Sequence, residues 1–281
     1  GVLQAQPPDV SPGPLYVEAL HKHGLSTDLE DLLGYLSQLH PSHPEQQQVL
    51  TLIDQLGAES FRDRREAMFA LSETPALTQV QLALAESHAD QEIRRRAQSL
   101  RKKQRAQGDF VLFSALRTLK LHDSVQTVPT LLPLLPTIQD DYLFREAREA
   151  ILASVQYENE TELLFAIESD EPAIREVALV ALGRLGSEQA QPILLRALRR
   201  ADDLVALAAA ESLAYDSPEL CLTTLQRLLK SPTFAVRHQA ASLLQTVTCQ
   251  HFGYAPYASV AQRNEAAQRW EDWIDQSAKT A

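Results

Sequence analysis

The chain has 281 residues, 44% hydrophobic and 22% charged, with nine Gly, two Cys and a formal net charge of −11. Its apolar fraction excludes a mostly disordered polypeptide, and with no uncharged apolar run of about 18 residues no membrane-spanning helix is expected. Two cysteines cannot supply a disulfide framework or a four-thiolate zinc site, and the acidic balance argues against nucleic acid as the default partner.

Residues 1–14 read as a disordered N-terminal segment. Val2-Leu3-Gln4-Ala5 ahead of Gln6-Pro7-Pro8 fits either the stub of a cleaved export signal or an ordinary disordered start. A cytoplasmic and an exported location therefore both stand. Residues 15–44 form an N-terminal helical cap, two pieces within Leu15–Leu39 that carry Leu20, Leu29, Leu32, Leu33 and Leu36 as apolar positions. Helices are then expected at about 45–56, from Ser60 through Arg62-Asp63-Arg64-Arg65-Glu66-Ala67, at about 76–87, and from Asp90 through Ile93-Arg94-Arg95-Arg96-Ala97. Phe110–Leu121 reads as one additional helix.

Beyond it four segments align without gaps at a spacing of 31 residues. Their second halves open at Leu143, Ile174, Val205 and Val236. Each has Ala four residues later (Ala147, Ala178, Ala209, Ala240) and a large aliphatic residue eight later (Ile151, Leu182, Leu213, Leu244). That spacing marks one face of a helix. The first halves align through Leu132, Leu163, Leu194 and Leu225, then Leu135, Ala166, Ala197 and Leu228. Each unit thus reads as two short helices with one apolar stripe apiece, and the small alanines permit close approach. Asp140, Glu171, Asp202 and Thr233 precede the second halves by three residues, where an oxygen-bearing side chain caps a helix start. Glu171 is a poorer cap, with Pro172 fitting the first helical position. The interval from Ile93 to Leu143 is 50 rather than 31, so the stacking is expected to be irregular there.

Residues 249–281 read as an aromatic loop and a C-terminal capping helix. That helix begins at Ser259, with Gln262 completing a capping box. Its apolar face is Ala266, Trp270, Trp273 and Ile274, which suits capping of the last repeat better than an aromatic groove. Cys221 and Cys249 fall on neighbouring helices, offset by about 9 Å along the axis. Two free, largely buried thiols are expected.

The runs Ile174-Arg175-Glu176-Val177-Ala178-Leu179-Val180-Ala181-Leu182-Gly183 and Val236-Arg237-His238-Gln239-Ala240-Ala241-Ser242-Leu243-Leu244 resemble the second-helix signature of HEAT repeats, in the short bacterial form also called PBS-lyase HEAT-like. The resemblance covers about residues 45–248, as six units with helical caps at both ends. Ala206 and Phe144 replace the usual arginine in two of them. It implies an all-α fold, an α/α superhelix or α-solenoid, in one continuous array rather than the two domains that length alone suggests. It also implies a concave face of second helices used for binding, without a cofactor.

Charge is unevenly distributed. Residues 60–108 hold ten basic and six acidic residues, while residues 1–59 hold one against eight. Arg94, Arg95, Arg96, Arg101, Lys102, Lys103 and Arg105 lie within 12 residues, and Arg62, Arg64 and Arg65 lie on the preceding second helix. A solvated face, an acidic protein partner, the chain's own acidic N-terminal segment and a nucleic acid are the readings of this island. The absence of aromatics within the run disfavours single-strand binding. Arg64, Arg65, Arg94 and Arg95 are the candidate partner-binding residues of a non-enzymatic scaffold for a protein or peptide.

Two further readings are a bilin-lyase-like enzyme or chaperone, which the family's alternative name suggests, and a nucleic-acid-binding HEAT protein. His21, His23, His40 and His43 fall within 23 residues, but one pair lies beside a Pro-containing turn, so loop and surface histidines are the default over a metal site. The chain has no His-Glu dipeptide, Gly-rich phosphate loop or G-x-S-x-G elbow.

Overall fold

The computed structural model describes residues 13–73, 75–187, 189–200, 202–214 and 217–280, and every regular element among them is helical. Residues 1–12 of the N-terminal segment read as disordered lie outside the described residues. The chain divides into two compact units, Gly1–Val155 and Gln156–Ala281. The boundary falls inside the stretch that the sequence presents as one repeat array.

The first unit contains α1 (Pro14–Lys22), α2 (Leu29–Gln38), α3 (Pro44–Gln55), α4 (Phe61–Glu73), α5 (Pro75–Ala85), α6 (Gln91–Leu119), α7 (Thr127–Leu131) and α8 (Asp141–Ser154). Its N-terminal core joins Val49, Ile53 and Leu56 of α3 and its C-terminus to Ala67 and Leu71 of α4, Leu82 and Ala85 of α5, and Ile93, Ala97 and Leu100 of α6.

Phe110–Leu121 does not form a separate helix. Most of it belongs to α6, whose 29 residues run without a break. The reason lies in phase: Ile93, Ala97, Leu100, Gln104, Gly108, Val111, Ala115 and Leu119 are all buried and recur every three or four residues straight through Gly108. A glycine in a helix interior costs about 1 kcal/mol against alanine, too little to break a stripe that stays in register. The extra length of α6 accounts for the 50-residue interval. Further along the first unit, Pro133 and Pro136 lack backbone donors, so the expected first helix is the short α7 followed by a 3-10 turn, Leu132–Thr137.

The second unit contains a 3-10 turn, Tyr157–Asn159, then α9 (Glu160–Ala166), α10 (Pro172–Leu185), α11 (Ala190–Ala197), α12 (Asp203–Leu213), α13 (Pro218–Leu228), α14 (Phe234–Thr248) and α15 (Val260–Thr280). Helix α10 packs on α12 and α12 on α14, while α9, α11 and α13 pair with their chain neighbours. The 31-residue register is expressed in burial. Of the twenty aligned aliphatic positions, all but the half-buried Ile174 are buried, and the four second-half alanines are fully buried.

Asp140 and Asp202 cap α8 and α12, each carboxylate accepting two backbone N–H bonds at 3.0–3.3 Å. Glu171 and Thr233 make no side-chain cap bond. At the C-terminus, α15 packs on α13. Trp270 is fully buried against Phe252 and Trp273, ring centroids 4.7 and 6.0 Å away, so its ring lines no groove. The Ser259–Gln262 capping box forms as expected, with Ser259 N–H donating to Gln262 Oε1 at 3.2 Å and Gln262 N–H to Ser259 Oγ at 3.4 Å.

Candidate functional site

The basic island divides into arginines that hold the fold together and cations that face water. Arg64, in the first turn of α4, donates from one guanidinium nitrogen to the carbonyls of Ala58 and Glu59 at 2.7 and 2.6 Å. Arg94 repeats this in α6, donating to His88 and Ala89 at 2.5 and 2.8 Å. In the second unit Arg237 donates to Ser231 and Pro232 at 2.8 and 2.7 Å, and Arg175 to Ser169 at 2.6 Å.

A guanidinium at this register is therefore a staple for the turn between paired helices, donating to carbonyls of the turn itself, three or four residues beyond the end of the preceding helix. The two 31-residue segments that carry Phe144 and Ala206 at this position have no guanidinium there; Asp140 and Asp202 cap the helices that follow their turns.

The candidates Arg64 and Arg94 are accordingly half-buried and engaged. So is Arg96, which donates to the Leu56 carbonyl at 2.5 Å and pairs with Glu92 at 2.5 Å. Arg101 pairs with Glu86 at 3.1 Å, and Arg62 with Glu66 at 2.8 Å. The candidates Arg65 and Arg95, one residue beyond the staples, are exposed at equivalent positions of two helices that pack together. Lys102 is exposed seven residues after Arg95, on the same face of α6, with Lys103 beside it. Among the described residues none of these four cations has a hydrogen bond or ion pair, whereas Arg105 lies outside the described side chains.

The sequence reading overlooked two aromatics. Phe61 and Phe69, each four residues from Arg65, are 69% and 66% exposed. Aromatics are absent from the run 94–105, but α4 adds a Phe–Arg–Phe stripe beside it. The signal was available in the i, i+4 and i+8 spacing, since Ala67 and Leu71 place the core on the opposite face.

Asp90 caps α6 by accepting from Glu92 and Ile93 N–H at 2.7 and 3.1 Å, and these two bonds hold its carboxyl below the usual carboxylate range.

Other sequence candidates are not brought together. His40 Nδ1 lies 2.6 Å from Ser42 Oγ, and His43 Nδ1 accepts from Glu45 N–H at 3.3 Å to cap α3. Among the described residues no group of three or more His, Cys, Asp or Glu side chains is placed to hold a metal ion, and no helix is long and apolar enough to cross a membrane. Cys221 is buried as expected, but Cys249 is exposed: it ends α14 at φ +55°, in the left-handed region, which turns the chain outward. No protein-family model matches the chain, and no curated protein is similar to it.

Proposed function

We propose that this chain is a HEAT-type α-solenoid that works as a non-enzymatic scaffold, and that the exposed face of α4 and α6 receives an acidic segment of a partner protein. The observation that carries this reading is the set of unengaged cations Arg65, Arg95, Lys102 and Lys103 beside exposed Phe61 and Phe69. Guanidinium groups offer paired donors to carboxylates, and exposed phenyl rings supply the apolar contact that most surface charge clusters lack. Elsewhere the chain is acidic, so an acidic ligand is repelled from most of the molecule and steered to this face.

The test is fluorescence anisotropy with a labelled peptide rich in glutamate and phenylalanine. Binding at low salt is expected to weaken as salt rises, and Arg65→Glu/Arg95→Glu to weaken it about tenfold or more. Equal affinity of wild type and variant removes the site. Tighter binding of a short single-stranded oligonucleotide than of the peptide favours the nucleic-acid reading instead.

A further inference from the structure

In the second unit, α9, α10, α11 and α12 enclose a pocket of about 320 Å³. Its floor is apolar, built from Leu164, Ile167, Leu179, Ile193 and Val205, and its rim carries Arg175, Arg196 and Arg200 against the single acid Glu168. Arg175 is held by its staple to Ser169 and lies 3.8 Å from Asp202. Arg196 and Arg200 are exposed and, among the described residues, their side chains have no hydrogen bond or ion pair.

A second depression of about 370 Å³ continues from this pocket, sharing Ile167, Glu168, Arg175 and Arg200 with it. The residues that line this part alone are Ser169, Asp170 and Asp202, all acceptors of hydrogen bonds, with Asp202 Oδ1 already taken by the N–H groups of Leu204 and Val205. The groove thus changes character along its length, from apolar with a cationic rim to polar and acidic.

We propose that this groove binds the C-terminal residue of a partner peptide, with its apolar side chain on the floor and its α-carboxylate between Arg196 and Arg200. A chain terminus carries an apolar side chain and a carboxylate on the same α-carbon, which suits an apolar floor beside a cationic rim, and arginine binds a carboxylate through two parallel bonds. The N–H groups of the preceding peptide units then meet Asp170 and the Oδ2 of Asp202, the oxygen that does not cap α12. Those acids also repel the carboxylate and so set the direction of the peptide. A long acyl chain matches less well, because half of the groove is polar.

The experiment is anisotropy with a fluorescein-labelled pentapeptide ending in leucine, prepared with a free carboxylate and as the C-terminal amide, with octanoate as competitor. The free acid is expected to bind about tenfold or more tightly than the amide. Arg196→Glu/Arg200→Glu, at exposed positions, is expected to keep the helical circular dichroism and to abolish the difference. Arg65→Glu/Arg95→Glu is expected to leave it unchanged, which separates this site from the α4–α6 face. Equal binding of acid and amide, no binding, insensitivity to Arg196→Glu/Arg200→Glu, loss in Arg65→Glu/Arg95→Glu, or displacement by octanoate at concentrations where unlabelled peptide fails would each overturn the proposal.

Discussion

The guanidinium of Arg237 reaches back from the first turn of α14 to the carbonyl of Ser231, 2.8 Å away, and closes the loop between α13 and α14. Its other nitrogens approach the Pro256 carbonyl at 3.3 and 3.4 Å, tying the aromatic loop ahead of α15 to the same point. Replacing Arg237 by Ala leaves these carbonyls without donors in a site where the side chain is 8% exposed. A loss of about 2–3 kcal/mol is expected. Arg65→Ala, at an exposed position, should change stability by no more than about 0.5 kcal/mol. Urea unfolding of the two variants checks the contrast.

Gly183 of α10 faces Ser212 of α12 so closely that a β-carbon at 183 would lie 2.2 Å from the Ser212 Cβ and 3.1 Å from its Cα. Gly183→Ala therefore forces the two helices apart. A cost of about 1–3 kcal/mol is expected, partly recovered by adding Ser212→Gly, and thermal unfolding of the single and double variants measures both.

The Asp90 cap contributes a pH-dependent term. Its carboxyl titrates below the ordinary 3.8 in the folded chain, so the unfolded state takes up a proton first as the solution is acidified. The stability it adds is present above that ordinary value and fades as pH falls through the lowered one. Asp90→Asn keeps a capping oxygen but loses the charge. The melting temperature of wild type is expected to exceed that of Asp90→Asn at neutral pH, and the gap to narrow as the solution is acidified from the ordinary carboxylate value through the lowered one.

The two thiols should differ in reactivity. Burial, with a smaller contribution from Glu219, pushes the Cys221 thiol up to about 12, while Cys249 is exposed. An alkylating reagent at pH 8 is expected to modify Cys249 alone in the native protein and both thiols in denaturant, as counted by mass spectrometry.

Much of the fold was legible because it is written in columns. Leu163, Leu194 and Leu225 recur at one interval, and each is buried. Where the sequence misleads, a physical competitor explains it. Gly108 resembles a break, but the apolar phase crosses it. Leu132 and Leu135 sit in the right column, yet the intervening prolines turn that segment into a 3-10 turn. The candidate site was legible only in part. Arg64 and Arg65 are identical in chemistry, and a rotation of about 100° along the helix separates a half-buried staple from an exposed cation. The alignment held a clue, because an arginine at one register in several units points to a shared structural task. Phe61 and Phe69 are not evident along the run 94–105 because they lie on a different helix, α4, which only packing brings against α6.

The unbroken α6 has a consequence for how the first unit folds. At about 1.5 Å per residue its 29 residues span about 44 Å, and α1, α2, α3, α4, α5 and α8 all pack against it. In the second unit the helices pack mainly against near neighbours, so each pair is able to open with limited loss to the rest. The first unit has less such freedom, since losing the central rod strips six of its other helices of a shared support. Amide hydrogens buried in α6 should therefore exchange only when that unit unfolds as a whole, whereas those of the second unit release in steps along the chain.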